Sequence, residues 1–388
     1  MQEKIYEVLS RAVENGDISG ANVLVQKNGE EQAYCECGFR DIENKVPLTR
    51  DTIFRLYSMT KPITAAAVML LVSQGRIDLS GDLGEYLPEF YNARVCRDGE
   101  CVPVKTPIKV RDLMNMTSGI TYPDDSMAGR QSGAVFDELG ERLYGERPMT
   151  TREFAVKMAD AALAFEPGTQ FRYGASADIL GALVEEVSGM SFRDFLIENF
   201  FLPLGMNDTD FYVPKQKQER LAKVYDYSGE GLVECPTNHL GLRYGRDVLP
   251  AFQSGGAGLC STLDDYANFA QMLLLGGRRC GKRILPGFAV HYLTHGGLEA
   301  GQDAYLREGW PWLDGYTYGN LMRVRRDGRR TTLFSGRGEY GWDGWLGMFF
   351  SNEPDYGITL LFGTQQIGMG RAATLVRKVK NIVMGELI

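Results

Sequence analysis

Apolar positions repeat along this chain with two periods, and the change from one to the other divides it. Ile5, Val8, Leu9 and Ala12 recur at helical spacing, which predicts an amphipathic helix over residues 3–15. Ala21-Asn-Val-Leu-Val-Gln26 and Glu31-Gln-Ala-Tyr-Cys-Glu36 then flank Lys27-Asn28-Gly29. Asn-Gly between two such runs is the signature of a tight hairpin. The helical period returns at Ile63, Ala66, Ala67, Leu70 and Leu71, and Gly75 stops it. Pro62 is tolerated only in a first turn, so this helix should begin near Ser58.

From about residue 80 to 250 the pattern is one of helices and long loops rather than strands. A short helix is expected over 110–116, leading into Thr117-Ser118-Gly119, and residues 120–150 read as loop. Thr150 or Thr151 caps a helix with Glu153 in its first turn, and Glu166-Pro167-Gly168 ends that segment. Two more helices follow, Ser176 to Val187 stopped at Gly189, and one from Ser191 stopped near Pro203. Past 250, Gly255-Gly256-Ala257-Gly258 precedes a capped helix after Ser261-Thr262. Candidate strands then fall at 316–325, 331–335, 342–350 and 357–363, with a closing helix at 370–385. Strands at both ends with helices between them predict an α/β (α+β) fold. Its antiparallel sheet draws on residues 1–80 and 250–388 and is flanked by helices from both termini. A mainly helical lobe, 81–249, is inserted, and the cleft between the lobes is the expected site.

Composition narrows the function classes. The 388 residues exceed one ordinary core, and 44% hydrophobic with 24% charged residues is the balance of a soluble globular protein. A net charge of -8 without a long run of one sign argues against a nucleic acid or an anionic membrane as partner. No run of 18 apolar residues is present to span a bilayer. The charged, amphipathic start Met1-Gln-Glu-Lys-Ile-Tyr-Glu7 is not of signal-peptide form, and the expected location is cytoplasmic. The seven cysteines are scattered; Cys96 and Cys101 could close a small loop, but free thiols are expected in a reducing compartment. No Cys or His set stands at ligand spacing, so neither metal nor cofactor is expected.

The strongest chemical signal is Phe54-Arg-Leu-Tyr-Ser58-Met-Thr-Lys61-Pro62. Residues three apart share a helix face, so the Lys61 amine can reach the Ser58 hydroxyl. The helix N-terminus favours an anion developing there. Serine is a poor nucleophile without a base within hydrogen-bond reach, and a buried lysine can serve. S-x-x-K alone is weak, because a chain this long carries about one by chance. Competing motifs fail. There is no G-x-S-x-G for a nucleophile elbow, and only three histidines occur. His291 and His295 are four apart but lack a third ligand. Gly336-Arg-Gly338-Glu-Tyr-Gly341 has the letters of a dinucleotide fingerprint but leads into a strand where a helix is needed. Tyr173, in Phe165-Glu-Pro-Gly-Thr-Gln-Phe-Arg-Tyr173, is the expected proton shuttle, ionising below its usual range beside the lysine.

At this point the chain resembles the serine β-lactamase-related superfamily: class C β-lactamases, D-alanyl-D-alanine carboxypeptidases and the family VIII carboxylesterases of that fold. The resemblance covers nearly the whole chain. It rests on Ser58-Met-Thr-Lys61, Val110-Arg-Asp-Leu-Met-Asn-Met-Thr-Ser-Gly119, Phe165 to Tyr173, Pro203-Leu-Gly-Met-Asn-Asp-Thr209, Gly255-Gly-Ala-Gly-Leu-Cys-Ser-Thr262 and Tyr318-Gly319, in order. It implies that Ser58 is acylated, that Lys61 is its base partner and that Tyr173 relays the proton. The third motif then falls at Trp342-Asp343-Gly344, and the backbone N–H groups of Ser58 and Trp345 would form the oxyanion hole, worth about a few kcal/mol each.

The departures from that pattern direct the substrate expectation. Ala175 stands where a motif asparagine would hold an acylamino group, and Trp342 and Asp343 replace the cation and hydroxyl that would hold a carboxylate. Asp343 is expected to repel such a carboxylate, and either to favour a cationic substrate or to pair with Arg337. Gly341-Trp342-Asp343-Gly344 is similar to the Trp-Gly-Gly signature of the esterases, apart from Asp343. Tyr122, Ala175, Trp310 and Trp312, with Trp342, are the candidate pocket residues, the aromatic ones standing equally well as core. The expectation is a carboxylesterase acting on a small-molecule ester or amide. A β-lactamase or D-amino-acid peptidase, and a non-catalytic binding protein on the same fold, are the competing readings.

Overall fold

A computed structural model describes residues 1–388 except Asp98 and Thr332. Its centre is an eight-stranded antiparallel sheet. The spatial order is Tyr316–Gly319, Met322–Arg325, Tyr340–Asp343, Phe349–Glu353, Ile358–Gly363, Gly20–Lys27, Glu30–Asp41, Val46–Pro47. The two ends of the chain meet in the middle, where Asn22 faces Gly363 and Lys27 faces Ile358. Asn28 and Gly29 turn the first hairpin with φ of 53° and 83°. A type I′ turn requires that left-handed pair, and asparagine and glycine adopt it at least cost.

Alternation along the central strands sorts the interior into two layers. Val23, Val25, Leu360 and Phe362 face the first helix, Gln2–Glu14, and the last, Met369–Leu387, through Ile5, Leu9, Val379 and Val383. Leu24, Phe350 and Leu361 face the other way, against Phe54, Ile63, Tyr266 and Phe269. Each such side chain contributes roughly 1.5–3 kcal/mol when fully buried. The helix Lys61–Ser73 lies inside this second layer against Ser176–Ser188 and is buried nearly all round. Its start is therefore anchored on every side, which is what a positioned nucleophile needs.

The structure departs locally from the sequence pattern. A 3₁₀ turn, Tyr57–Thr60, precedes the helix, which becomes α at Lys61. Residues 120–150 contain a helix, Met127–Glu141, capped by the Ser126 hydroxyl accepting from the Gly129 N–H at 3.0 Å. Gly129, Gly133 and Gly140 obscure its buried face of Ala128, Ser132, Val135, Phe136 and Leu139. The expected strand 316–325 is a hairpin turning at Asn320 and Leu321, with φ of 51° and 64°. Tertiary bonds hold that glycine-free turn: Asn320 Nδ2 donates to the Tyr292 carbonyl at 2.7 Å and the Leu321 N–H to the Met114 carbonyl at 2.8 Å.

The expected strand 342–350 is two strands, 340–343 and 349–353, joined by a turn in which the Gly344 N–H donates to the Met348 carbonyl at 2.7 Å. Of 331–335, Thr332 lies outside the described residues and the others form no strand. Two short hairpins also interrupt the helical region, Arg94–Arg97 with Glu100–Pro103 and Tyr225–Tyr227 with Leu232–Glu234. Cys96 and Cys101 face each other across the first as free thiols, Sγ to Sγ 3.4 Å. No helix among the described residues is long and apolar enough to cross a membrane.

Candidate active site

Tyr57 sets up the site. Its φ is 45°, a left-handed value for a bulky residue. Such a conformation costs about 1–3 kcal/mol and persists only where the surroundings impose it. Here burial imposes it: Tyr57 is 2% exposed, with its ring edge-on to Trp345 at 5.0 Å. The chain bends sharply and presents Ser58 at the head of the 3₁₀ turn. In 3₁₀ geometry residues three apart are eclipsed, so Lys61 stands over Ser58, Nζ to Oγ 3.2 Å.

Lys61 Nζ also donates to the Gly256 carbonyl at 2.8 Å and to the Tyr122 hydroxyl at 3.2 Å, and lies 4.6 Å from the centre of the Tyr173 ring. The amine is fully buried. Burial pushes its pKa down to about 7, against a smaller upward pull from Asp178. Asp178, buried on the helix Ser176–Ser188, accepts from the Ser254 hydroxyl at 2.5 Å and the Gly256 N–H at 3.0 Å. It fixes the loop whose carbonyl holds the lysine. A Cβ on residue 256 would lie 2.7 Å from Asp178 Oδ2 and 3.0 Å from the Tyr122 hydroxyl, so the cluster closes only around glycine.

Tyr173 accepts the indole N–H of Trp342 at 3.1 Å. Burial holds its phenol well above the usual tyrosine range; hydrogen bonds with Ser58 and Trp342 pull it back less. The expected ionisation beside the lysine therefore does not occur, and Tyr173 rests as a neutral phenol. Burial does the same to Tyr122. Of these three groups only Lys61 exchanges a proton near neutral pH. Gly174 brings the two tyrosine loops together, since a Cβ there would stand 2.2 Å from the Ile120 carbonyl oxygen.

The third-motif stretch separates by the pleat. Trp342 faces Tyr173, while Asp343 faces the last helix on the other side of the sheet, beside Phe349, Ala372 and Val376. Its carboxylate accepts from Arg323 Nη1 at 2.6 Å, not from Arg337, and it cannot repel a substrate in the cleft. Arg323 also pairs with buried Glu339 at 3.1 Å, Glu339 with Lys380 at 3.1 Å, and Lys380 with Glu353 at 2.9 Å. Gly344 ends the strand against the nucleophile turn, for a Cβ there would lie 2.5 Å from the Leu56 carbonyl oxygen.

Ser58 opens onto a cleft of about 530 Å³ that Tyr122, Tyr173 and Trp345 also line. The other expected pocket residues lie elsewhere. Trp310 backs Tyr173 at 4.9 Å between ring centres. Ala175 is fully buried at the start of the helix Ser176–Ser188, and Trp312 is 59% exposed beside the cavity that Asp343 lines. Among the cleft residues that the sequence reading missed are Tyr57, Phe136, Asp137 and His239. Phe136 and Asp137 belong to the unrecognised helix, whose spaced apolar positions were the available signal. His239 carries no motif. Its imidazole stacks on Trp345 at 4.0 Å, and burial lowers its pKa, leaving it neutral at neutral pH. His291 and His295 pack ring to ring at 4.0 Å, and no cluster of three His, Cys, Asp or Glu that would hold a metal occurs among the described residues.

Comparison with known proteins gives a consistent set. The family model described as Beta-lactamase matches residues 6–379. Protein Rv1367c of Mycobacterium tuberculosis (strain ATCC 25618 / H37Rv) is 31% identical over 363 residues, 89% of this chain and 86% of that protein. Esterase EstB of Burkholderia gladioli is 29% identical over 392 residues, 97% of this chain and 93% of the esterase. Among solved structures, EstCE1, described as a hydrolase with promiscuous acyltransferase activity, matches with a TM-score of 0.83 at 24% identity, covering 99% and 98% of the two chains. Unliganded, selenomethionyl simvastatin synthase (LovD) from Aspergillus terreus matches with a TM-score of 0.81 at 21% identity, covering 98% and 97%.

Proposed function

This chain belongs to the beta-lactamase family, whose members are serine hydrolases and esterases, and from that premise we propose that it is a carboxylesterase that forms an acyl-enzyme at Ser58. The observation that carries the proposal is the buried Lys61 amine, 3.2 Å from Ser58 Oγ with its pKa near 7. At neutral pH about half of the Lys61 amines are free bases, which is the condition for a general base.

In the first step Ser58 Oγ bonds to the ester carbonyl carbon and its proton passes to Lys61 Nζ. Charge on the carbonyl oxygen falls to the N–H groups of Ser58 and Trp345; the first lies in a helix's opening turn, where backbone donors lack intrahelical partners. Tyr173 then gives its phenolic proton to the departing alkoxide as the C–O bond breaks, and Lys61 restores that proton. Water attacks the acyl-enzyme in the second step and returns Ser58 Oγ–H.

Three features support an ester over a β-lactam or a peptide. Among the described residues no lysine or arginine lines the cleft beside Ser58 to hold a substrate carboxylate, Lys61 being buried behind it. Ala175 is buried in the core and offers no amide to an acylamino group. Esterase EstB aligns with 97% of the chain. The test is hydrolysis of p-nitrophenyl butyrate and of a chromogenic cephalosporin side by side, with Ser58→Ala as control. Serine-dependent ester cleavage with little cephalosporin cleavage is expected; faster cephalosporin cleavage would overturn the esterase reading.

A further inference from the structure

We infer that the substrate of this cleft carries a positive charge, an alkylammonium or quaternary ammonium group, recognised by the Asp137 carboxylate at the rim together with the aromatic wall. The inference rests on the ester-hydrolase reading of Ser58.

The rings of Tyr57, Tyr122, Phe136, Tyr173 and Trp345 all line the space in front of Ser58. They pack on one another rather than scatter: Tyr122 lies 5.8 Å from Phe136 and 6.0 Å from Tyr173, and Tyr57 5.0 Å from Trp345. An aromatic wall takes alkyl groups by apolar burial and cations by the pull of the ring quadrupoles. The charge in the space decides between the two. Apart from buried Lys61, Asp137 is the one charged side chain facing it among the described residues. His239 adds no positive charge, because burial keeps it neutral at neutral pH.

Asp137 is exposed and, among the described residues, forms no ion pair. The cations on and beside its helix are committed elsewhere. Arg142 pairs with Glu138 and Glu153, Lys157 with Glu138, and Arg130 donates to the Asp125 carbonyl. No ion pair among the described residues therefore neutralises the carboxylate at the mouth of the aromatic cleft. The net charge of -8 adds a field of the same sign, which draws cations toward the protein and repels anions. Asp343, the acidic residue that the sequence put in this role, is neutralised by Arg323 on the far side of the sheet.

The test compares p-nitrophenyl 5-(trimethylammonio)pentanoate with its uncharged isostere, p-nitrophenyl 6,6-dimethylheptanoate, and with mono-p-nitrophenyl adipate. Homologues one and two methylenes shorter and longer accompany each. At low ionic strength kcat/KM is expected to favour the cation over the isostere by about 10-fold at the best length, the range of a cation at a partly desolvated aromatic site, with the anion poorest. Asp137→Asn should bring the cation-to-isostere ratio toward one, and added salt should reduce it in the parent protein. Equal rates for cation and isostere at every length, or a ratio unchanged in Asp137→Asn, overturns the inference. Binding of phenyltrimethylammonium, followed by tryptophan fluorescence in Ser58→Ala and in the Ser58→Ala/Asp137→Asn double variant, reads the same claim without turnover. If no ester is cleaved but the cation binds and Asp137→Asn abolishes binding, the esterase reading fails and the cation site stands.

Discussion

Replacing Lys61 by methionine should stop turnover and stabilise the fold, and the gain should depend on pH in a calculable way. Lys61 is fully buried, and its pKa falls from 10.5 in the unfolded chain to about 7 in the fold. Between those values the unfolded chain holds more protons than the folded one, so stability rises with pH through that window and levels off below about pH 7 and above about pH 10.5. Linkage between the two values puts the charge penalty at about 4–5 kcal/mol at pH 7 and about 2 kcal/mol at pH 9. Methionine matches the stem of lysine and removes the titration. It also leaves the Gly256 carbonyl, 2.8 Å from Nζ in the parent, without its donor. That loss costs about 1–3 kcal/mol at either pH. The absolute gain is thus a small difference, but its pH dependence belongs to the lysine alone. Urea unfolding of parent and Lys61→Met at pH 7 and pH 9 should show the variant's advantage shrinking by about 2 kcal/mol. Stability curves that run parallel from pH 7 to pH 9 would refute a lysine held near pH 7 by burial, and with it the base assigned to Ser58.

Other consequences follow from the same geometry. For ester hydrolysis, log kcat/KM should rise through a single ionisation near pH 7 as Lys61 loses its proton, and an acid limb confined to the range of pH 4 to 5 would point to a carboxylate instead. Tyr173→Phe keeps the ring packing and removes the hydroxyl that accepts from Trp342, so kcat should fall by roughly 10²–10⁴ while the orphaned indole N–H costs about 1–3 kcal/mol of stability; a rise in KM with kcat unchanged would assign Tyr173 to binding. Arg323→Met leaves Asp343 unpaired and Glu339 with Lys380 alone, and should cost about 3–5 kcal/mol in unfolding free energy. A loss under 1 kcal/mol would mean that the buried ion network does not brace this edge of the sheet. Gly256→Ala should depress kcat and melting temperature together, because its Cβ meets Asp178 and Tyr122 at once.

What could be read from the sequence was what is local or punctuated. Ser58 and Lys61 meet because they are three apart in one turn, and spacing needs no tertiary information. The Asn28-Gly29 hairpin and the strands of both termini announce themselves by turn chemistry and alternation, and the antiparallel sheet follows. Partners set by distant register were beyond reach. Asp343 finds Arg323 on the neighbouring strand, 20 residues away in sequence. Asp178 and Gly256 are 78 residues apart and join only through packing around Lys61. Trp312 and Ala175 look like pocket residues by type, yet one sits beyond the sheet and the other under a helix start. Tyr122 shows the reverse: read as a wall, it meets the lysine directly at 3.2 Å. The tyrosine pKa erred because the lysine was taken as a full cation, whereas burial lowers the lysine to about 7 and raises the phenol.

The most direct test is the mass of the protein itself. A p-nitrophenyl ester is mixed with the enzyme, the reaction is quenched in acid within milliseconds to seconds, and intact protein and peptides are weighed. The account predicts a transient species heavier by one acyl group, carried on Ser58, absent in Ser58→Ala and formed more slowly in Tyr173→Phe. Ester turnover with no acylated protein at any time, or with the acyl group on another residue, would contradict it.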